Sequence, residues 1–398
     1  MQMQMSPTTP ATHPARGANA AASAMRSGSD AGSWTSMIAS LPRLDAILAR
    51  WRLGSCDRIA TLNPRLYDLS LRIAGSLMDG VSVGMRWLPQ GWRYRLADTL
   101  TEPLLWLWRI NGRRSVIARN YATMLGAVAV GEASAPQIPG MPAVASIAPI
   151  APIAPIAPIV THQDKQFAIN IQAHELARAS VRNYGRMAVD FLAARTMRTE
   201  DILAWAHPQG EEYFAQVMDA GRGVIMALPH VGSWDVGAVF AQAYGCKLTV
   251  VTERNWVTEL VAGGRRSLGV TLAPRDSGPQ ALRRLFAALR RNECVVMLGD
   301  LANEGVQTMQ TPFFGRLSPF PMGPARLAVR TGAPILVVAS VRQPYGAYLV
   351  QAQPPLYADP AQSRDDAVAG LTEAVAAGFA RIIAAYPDQW YPFHPIWP

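Results

Sequence analysis

The spacing of apolar residues changes character along the chain. From Leu41 to Leu125 they recur at helical intervals and alternate with arginines. Beyond about residue 220 the pattern breaks into short apolar runs bounded by Gly, Pro and polar clusters. Val224–Leu228, Leu248–Val251, Cys294–Leu298, Ile335–Val341 and Tyr348–Ala352 read as strands. Between and after them, Val236–Ala243, Glu259–Leu268, Ala281–Arg291, Pro324–Arg330 and Arg364–Tyr386 read as helices. Such alternation predicts an α/β fold with a central, mostly parallel sheet flanked by helices on both faces.

Upstream, Gln166–Arg198 predicts a helix, and Asp201–Ala220 a further short helical region. Residues 127–165 form an Ala/Pro/Ile-rich insertion in which Ile150, Ile153, Ile156 and Ile159 repeat every third residue. That period matches polyproline II, and the interleaved prolines exclude a helix. Residues 1–40 are rich in Ala, Ser, Pro and Thr and predict a disordered tail. The expected organisation is therefore a tail (1–40), an N-terminal helical region (41–126), the insertion (127–165) and an α/β domain (166–398).

Composition sharpens this picture. Half the residues are hydrophobic, 16% are charged, and the formal net charge is +9. Few charges with a basic excess suit a surface that meets anionic lipid. Trp87, Trp92, Trp106 and Trp108 lie among Arg65, Arg72, Arg86, Arg93 and Arg95. Trp with Arg on amphipathic helices fits a membrane interface, although an ordinary helical layer with a basic outer face gives the same pattern. Nucleic acid is disfavoured because neither a basic run nor a binding motif is present. No stretch of about 20 apolar residues free of Pro and charge offers a span. The N-terminus lacks the form of a secretory signal, so a peripheral position at the cytoplasmic membrane face is expected. Cys56, Cys246 and Cys294 are too scattered for a disulfide framework or a metal site, and no nucleotide loop is found.

The chemistry centres on His230, just past the first strand of the α/β domain, where open sheets place ligands. Asp235 follows five residues on, and the two meet only if His230 sits in the turn and Asp235 in the first helical turn. An imidazole so held is a better base toward an alcohol. A turn histidine beside a helix-capping carboxylate has the same spacing. Asp300 follows another buried strand and is expected on the same rim, with Glu304 in the loop beyond. Phe313 and Phe314 suit an acyl-channel wall or plain core. Gly323 and Pro324 suit a helix start facing an anion. Ser233 lacks a nucleophile-elbow context, so direct transfer is preferred to an acyl-serine.

Taken together, His230-Val-Gly-Ser-Trp-Asp235, Glu253-Arg254, Gly305-Val306, Phe313-Phe314-Gly315, Gly323-Pro324-Ala325 and Arg330-Thr-Gly-Ala333 resemble the bacterial lysophospholipid acyltransferase superfamily. The chain is most similar to its phosphatidylinositol mannoside acyltransferases, with lipid A acyltransferases as cousins. The closing segment around Trp390 and Trp397 is also similar. The resemblance implies a glycerolphosphate-acyltransferase-like fold and transfer of a fatty acyl group from acyl-CoA, a co-substrate rather than a cofactor, to a mannose hydroxyl of a mannosylated phosphatidylinositol. It implies His230 as general base, Asp235 as its motif partner and Glu304 as assisting acid. Ser233, Trp234, Glu253, Arg254, Asp300, Phe313, Phe314, Gly323, Pro324 and Arg330 would line the substrate site. Where the family usually carries Asp-Arg-Asp-Leu, this chain has Leu298-Gly299-Asp300-Leu301, and Gln307 stands where a glutamate is common. A lipid A type acceptor and a non-catalytic basic membrane-surface protein are the alternatives.

Overall fold

A computed structural model describes residues 64–110, 112–129, 162–303, 305–344 and 346–397. The expected tail and most of the insertion lie outside the described residues, as does Glu304. Four helices come first: α1 (Pro64–Trp87), α2 (Gln90–Ile110), α3 (Arg113–Ala129) and α4 (His162–Ala194). Long α4 is the strut of this layer. Its Arg178, Arg182 and Arg186, spaced at i, i+4 and i+8, share one face. From there Arg178 and Arg182 reach Glu102 on α2, and Arg186 makes a bidentate pair with Asp98 at 2.8 and 2.6 Å.

Next come α5 (Thr199–Trp205), β1 (Ala206–Gln209), α6 (Glu211–Asp219), β2 (Val224–Leu228), α7 (Trp234–Ala243) and β3 (Leu248–Thr252). They lead into α8 (Trp256–Ser267), β4 (Thr271–Pro274), α9 (Pro279–Arg290) and β5 (Cys294–Leu298). The chain closes with β6 (Thr308–Phe313), β7 (Arg316–Pro321), α10 (Gly323–Thr331), β8 (Ile335–Arg342), β9 (Tyr348–Ala352) and α11 (Arg364–Ala385). Seven strands form one sheet in the order β1-β9-β8-β2-β5-β3-β4, parallel except where β8 meets β9.

Strand alternation divides the core in two. Ile225, Ala227, Val295 and Val337 point to the face covered by α9, α10 and α11. Val224, Val296, Leu336 and Leu248 point to the face covered by α6, α7 and α8. Both faces are buried, which is why the central strands read as continuous apolar runs. Helix α11 is long and apolar enough to cross a bilayer by length and composition, although Glu373 and Arg381 interrupt its apolar run. Its Phe379 and Ile383 are fully buried in the core, so its apolar surface is used inside the protein.

Three features were not expected. The segment Asp201–Ala220, read as helical, contains β1 on the sheet edge, with only Ala206 of its residues buried. Four residues of Ala-His-Pro-Gln carry no strand pattern; pairing to β9 makes them a strand. Short β4 went unread for the same reason. The Phe313-Phe314-Gly315 region, read as a loop, is the tip of a β6–β7 hairpin with Phe314 and Gly315 both at positive φ. Pro312, Pro319 and Pro321 concealed it, since prolines are tolerated where a strand has a free edge.

The turn after β2 depends on Gly232. Its φ is +66°, and a Cβ there would lie 2.1 Å from the Ser340 carbonyl oxygen on β8. Replacing Gly232 by Ala is expected to destabilise the protein by at least about 1–2 kcal/mol, the cost of a left-handed conformation alone. Urea unfolding of the variant beside wild type measures this.

Candidate active site

Strands β2 and β5 are parallel neighbours in strict register, with Leu228 opposite Leu298. Two residues past that pair, the chain carries His230 on one strand and Asp300 on the other. The Gly299 N–H donates to the Leu228 carbonyl at 3.0 Å, and the His230 N–H donates to Asp300 Oδ1 at 3.0 Å. The same Oδ1 lies 2.5 Å from His230 Nδ1. Because a carboxylate only accepts, the contact favours a proton on Nδ1, and in the neutral ring with that tautomer Nε2 is the nitrogen with a lone pair for an incoming donor.

Asp300 is held from its other side. Trp390 Nε1 donates to Oδ2 at 3.1 Å, and both side chains are buried. The segment bearing Trp390 is strapped across the His230 turn: the Tyr391 N–H donates to the His230 carbonyl at 2.9 Å, and Gly232 N–H donates to Gln389 O at 2.9 Å. The Tyr121 hydroxyl on α3 lies 2.7 Å from the Pro387 and Trp390 carbonyls. The Asn120 amide donates to the Pro392 and His394 carbonyls at 2.9 and 2.7 Å. Thus α3 helps to fix the carboxylate that orients the imidazole.

Asp235 does not meet His230, which corrects the expected pairing. Its carboxylate takes two hydrogen bonds from Arg265 on α8, at 2.7 and 2.9 Å. The turn carries Asp235 into the first turn of α7, while the sheet register brings Asp300 to the imidazole instead. Burial opposes the Arg265 charge, but Asp235 more than offsets it and the guanidinium pKa is raised. Ser233, expected to touch substrate, is 1% exposed and caps α7 by accepting from the Val236 N–H at 3.3 Å. Phe313 and Phe314 are also corrected. Both are buried against Trp390 and Trp397 rather than lining a channel.

His230 sits where two cavities meet. The larger, of about 1410 Å³, is mainly apolar and takes in Trp234, Met297, Leu285, Gly323, Pro324 and Arg330. The smaller, about 870 Å³, takes in Arg254, Asn255, Asp276, Asn303 and His394. Trp234, Glu253 and Arg275 border both. Trp234 packs edge-on against the imidazole, with ring centres 5.3 Å apart. Glu253 pairs with Arg275 at 3.0 Å, and Arg254 with Asp276 at 3.3 Å. Arg330 lies over the Phe286 ring at 5.3 Å. Asn303, Arg275 and His394 were not singled out from sequence. Burial first, then the Arg113 charge and the His230 ring, pushes the His394 pKa below the usual histidine value. The shift favours the neutral ring, which carries both a donor and an acceptor nitrogen.

A base joined to an apolar and a polar cavity suits removal of a proton from a polar headgroup beside a hydrocarbon chain. The family model described as bacterial lipid A biosynthesis acyltransferase matches residues 170–398. The chain belongs to that family. It is 33% identical to the phosphatidylinositol mannoside acyltransferase of Mycolicibacterium smegmatis over 193 residues, covering 47% of this chain and 60% of that protein. Against the protein of the same name from Mycobacterium tuberculosis (strain CDC 1551 / Oshkosh) it is 31% identical over 227 residues, covering 55% and 69%. For strain H37Rv the figures are 33% over 194 residues, 47% and 58%. The family match contains the whole His230, Asp300 and Trp390 constellation and leaves α1–α3 outside it.

The Asp235–Arg265 pair is mostly shielded from water, with side-chain exposures of 11% and 13%. Arg265→Met is expected to cost roughly 3–5 kcal/mol of stability by stranding the carboxylate. Adding Asp235→Asn recovers a large part of the loss. Denaturant melts of the two single variants and the double variant check this.

Proposed function

We propose that this protein transfers a fatty acyl group from acyl-CoA to a mannose hydroxyl of a mannosylated phosphatidylinositol, with His230 as general base. The observation that carries this reading is the His230–Asp300 contact placed between an apolar and a polar cavity. The relatives' names supply the acceptor class.

A thioester is already activated, so the required work is to align the alcohol, take its proton and stabilise the tetrahedral oxyanion. Asp300 holds His230 in the Nδ1–H tautomer, so Nε2 accepts the hydroxyl proton as the oxygen attacks the thioester carbon. The carboxylate then stabilises the imidazolium. Collapse of the intermediate expels the thiolate, and the imidazolium returns the proton to sulfur. The α10 N-terminus at Gly323 and Pro324 borders the larger cavity and supports a role for its N–H dipole toward the oxyanion. Ser233 is occupied as a helix cap, which favours direct transfer over an acyl-serine.

The helical layer supports a lipid-facing position. Leu66, Leu69, Ile73 and Leu77 on α1 are exposed on one helical face, and Trp92, Leu96, Leu100 and Trp106 do the same on α2. Arg86 stacks on Trp87, and Arg95 on Trp92. Rings beside cations suit the headgroup level of an anionic leaflet, as a peripheral contact at the cytoplasmic face. A lipid A type acceptor is the second reading, favoured by the description of the matched family, and keeps the same proton chemistry.

His230→Ala is expected to lower acyl transfer by about 10²- to 10⁴-fold, and Asp300→Asn by about 10²-fold or more through loss of the productive tautomer. Mass spectrometry of products from palmitoyl-CoA with a mannosylated phosphatidylinositol, or with a lipid A precursor, reads both rate and acceptor. Near-normal turnover by His230→Ala excludes the mechanism. For the membrane contact, Leu77→Glu with Leu100→Glu is expected to weaken pelleting with anionic liposomes at least tenfold, since each buried Leu contributes about 1.5–3 kcal/mol. Unchanged pelleting excludes these faces as the contact.

A further inference from the structure

The larger cavity exceeds the roughly 300–1,000 Å³ of an ordinary small-molecule site, and its walls come from both faces of the sheet. At the C-terminal rim, Val250 points to the α6–α8 face and Val251 to the α9–α11 face, and both line the cavity. It therefore has two lobes that meet beside His230.

One lobe runs between α9, α10 and α11, along Leu285, Leu327 and Val368. Leu285 and Leu327 are buried. The other is a groove between α4 and α8, floored by Trp234 and Ala238 of α7 and edged by Met78 of α1. Its walls are two helical stripes: Tyr184, Ala188, Phe191 and Leu192 on α4, and Val257 and Val261 on α8. From Tyr184 to Leu192 the α4 wall is about 12 Å long at 1.5 Å per residue. Apart from Tyr184 these side chains are hydrocarbon, although the mutually paired Asp235 and Arg265 and the Thr258 hydroxyl line the cavity beside them. Ala188 and Val257 are exposed, so the groove is open along its side.

We propose that this groove seats a hydrocarbon tail of the acceptor lipid, while the lobe between α9, α10 and α11 takes the acyl chain being transferred. The proposal rests on the glycolipid acyltransferase reading and adds a second hydrocarbon site to it. Two continuities assign the groove to the acceptor. At one end α8 begins at the polar cavity, where Asn255 lies, two residues before Val257, so a headgroup there leaves its tail pointing along α8. At the other end the groove reaches α1, the helix with the outward apolar stripe, so the tail can pass from bilayer to groove along apolar surface. The donor chain, drawn from a soluble thioester, is left the lobe between α9, α10 and α11.

The test uses the full chain with palmitoyl-CoA and two monodisperse acceptors, a mannosylated dioctanoyl-phosphatidylinositol and its deacylated glycerol analogue. Ala188→Trp and Val257→Trp fill the groove from exposed positions and leave the core intact. Each is expected to reduce the preference in kcat/KM for the tailed over the tail-less acceptor by tenfold or more, with the wild-type preference for donor chain length retained. Equal loss on both acceptors, or a shift toward shorter donors, overturns the proposal. A dioctanoyl-phosphatidylinositol bearing a terminal diazirine provides a readout independent of turnover. Crosslinks on Phe191, Leu192 or Val261 support the groove, and crosslinks confined to α9 or α10 overturn it. If wild type acylates neither mannosylated acceptor, the functional reading fails, and the crosslinks still decide the groove.

Discussion

The hydrogen-bonded register between β2 and β5 is the constraint on which the site depends. Leu228 lies opposite Leu298, and the two strands leave the sheet side by side. Any residue two positions beyond that pair on one strand must lie next to its counterpart on the other. His230 and Asp300 occupy those positions, and a one-residue slip would turn the side chains of a strand to the opposite face. The imidazole is oriented by the backbone ladder first and by its carboxylate second.

Around that contact the protein spends its buried polar groups on rigidity. Asp300 accepts from the imidazole, a backbone N–H and the Trp390 indole. Asp235 is held by Arg265, joining α7 to α8, while Ser233 caps α7. Gly232, at positive φ and with no Cβ to strike the Ser340 carbonyl, lets the turn pass close to β8. An imidazole fixed this firmly would have little reorganisation to undergo as the base of the proposed reaction, which is where preorganised sites gain their rate.

The helical layer and the α/β domain are joined through the C-terminal segment. Tyr121, Asn120 and Asn183 on α3 and α4 bind the backbone of residues 387–394, and that backbone binds the His230 turn. Helices with outward apolar stripes are thereby mechanically continuous with the carboxylate that holds the His230 ring. The α4–α8 groove lies along the same junction, so the exposed apolar helices and the His230 site are built on shared elements.

Strand and helix types were legible in the sequence wherever periodicity and burial agreed, because a strand buried on both faces must be apolar throughout. β2, β5, β8 and α11 were placed within a residue or two, and His230 was located at a strand end for that reason. The edge strand β1 and the proline-bearing β6–β7 hairpin were not, since pairing partners rather than side-chain pattern make them strands. The partner of His230 shows where local reading stops. Proximity along the chain favoured Asp235, whereas Asp300, seventy residues away, is adjacent in space through the sheet. Aligning Val224–His230 with Cys294–Asp300 as two parallel strands would have revealed it. The aromatic pair Phe313 and Phe314 carried no mark to tell wall from core, and only tertiary packing against Trp390 and Trp397 decided it. Composition and period determine which segments are strands and which helices; the order and register of the strands determine which side chains meet.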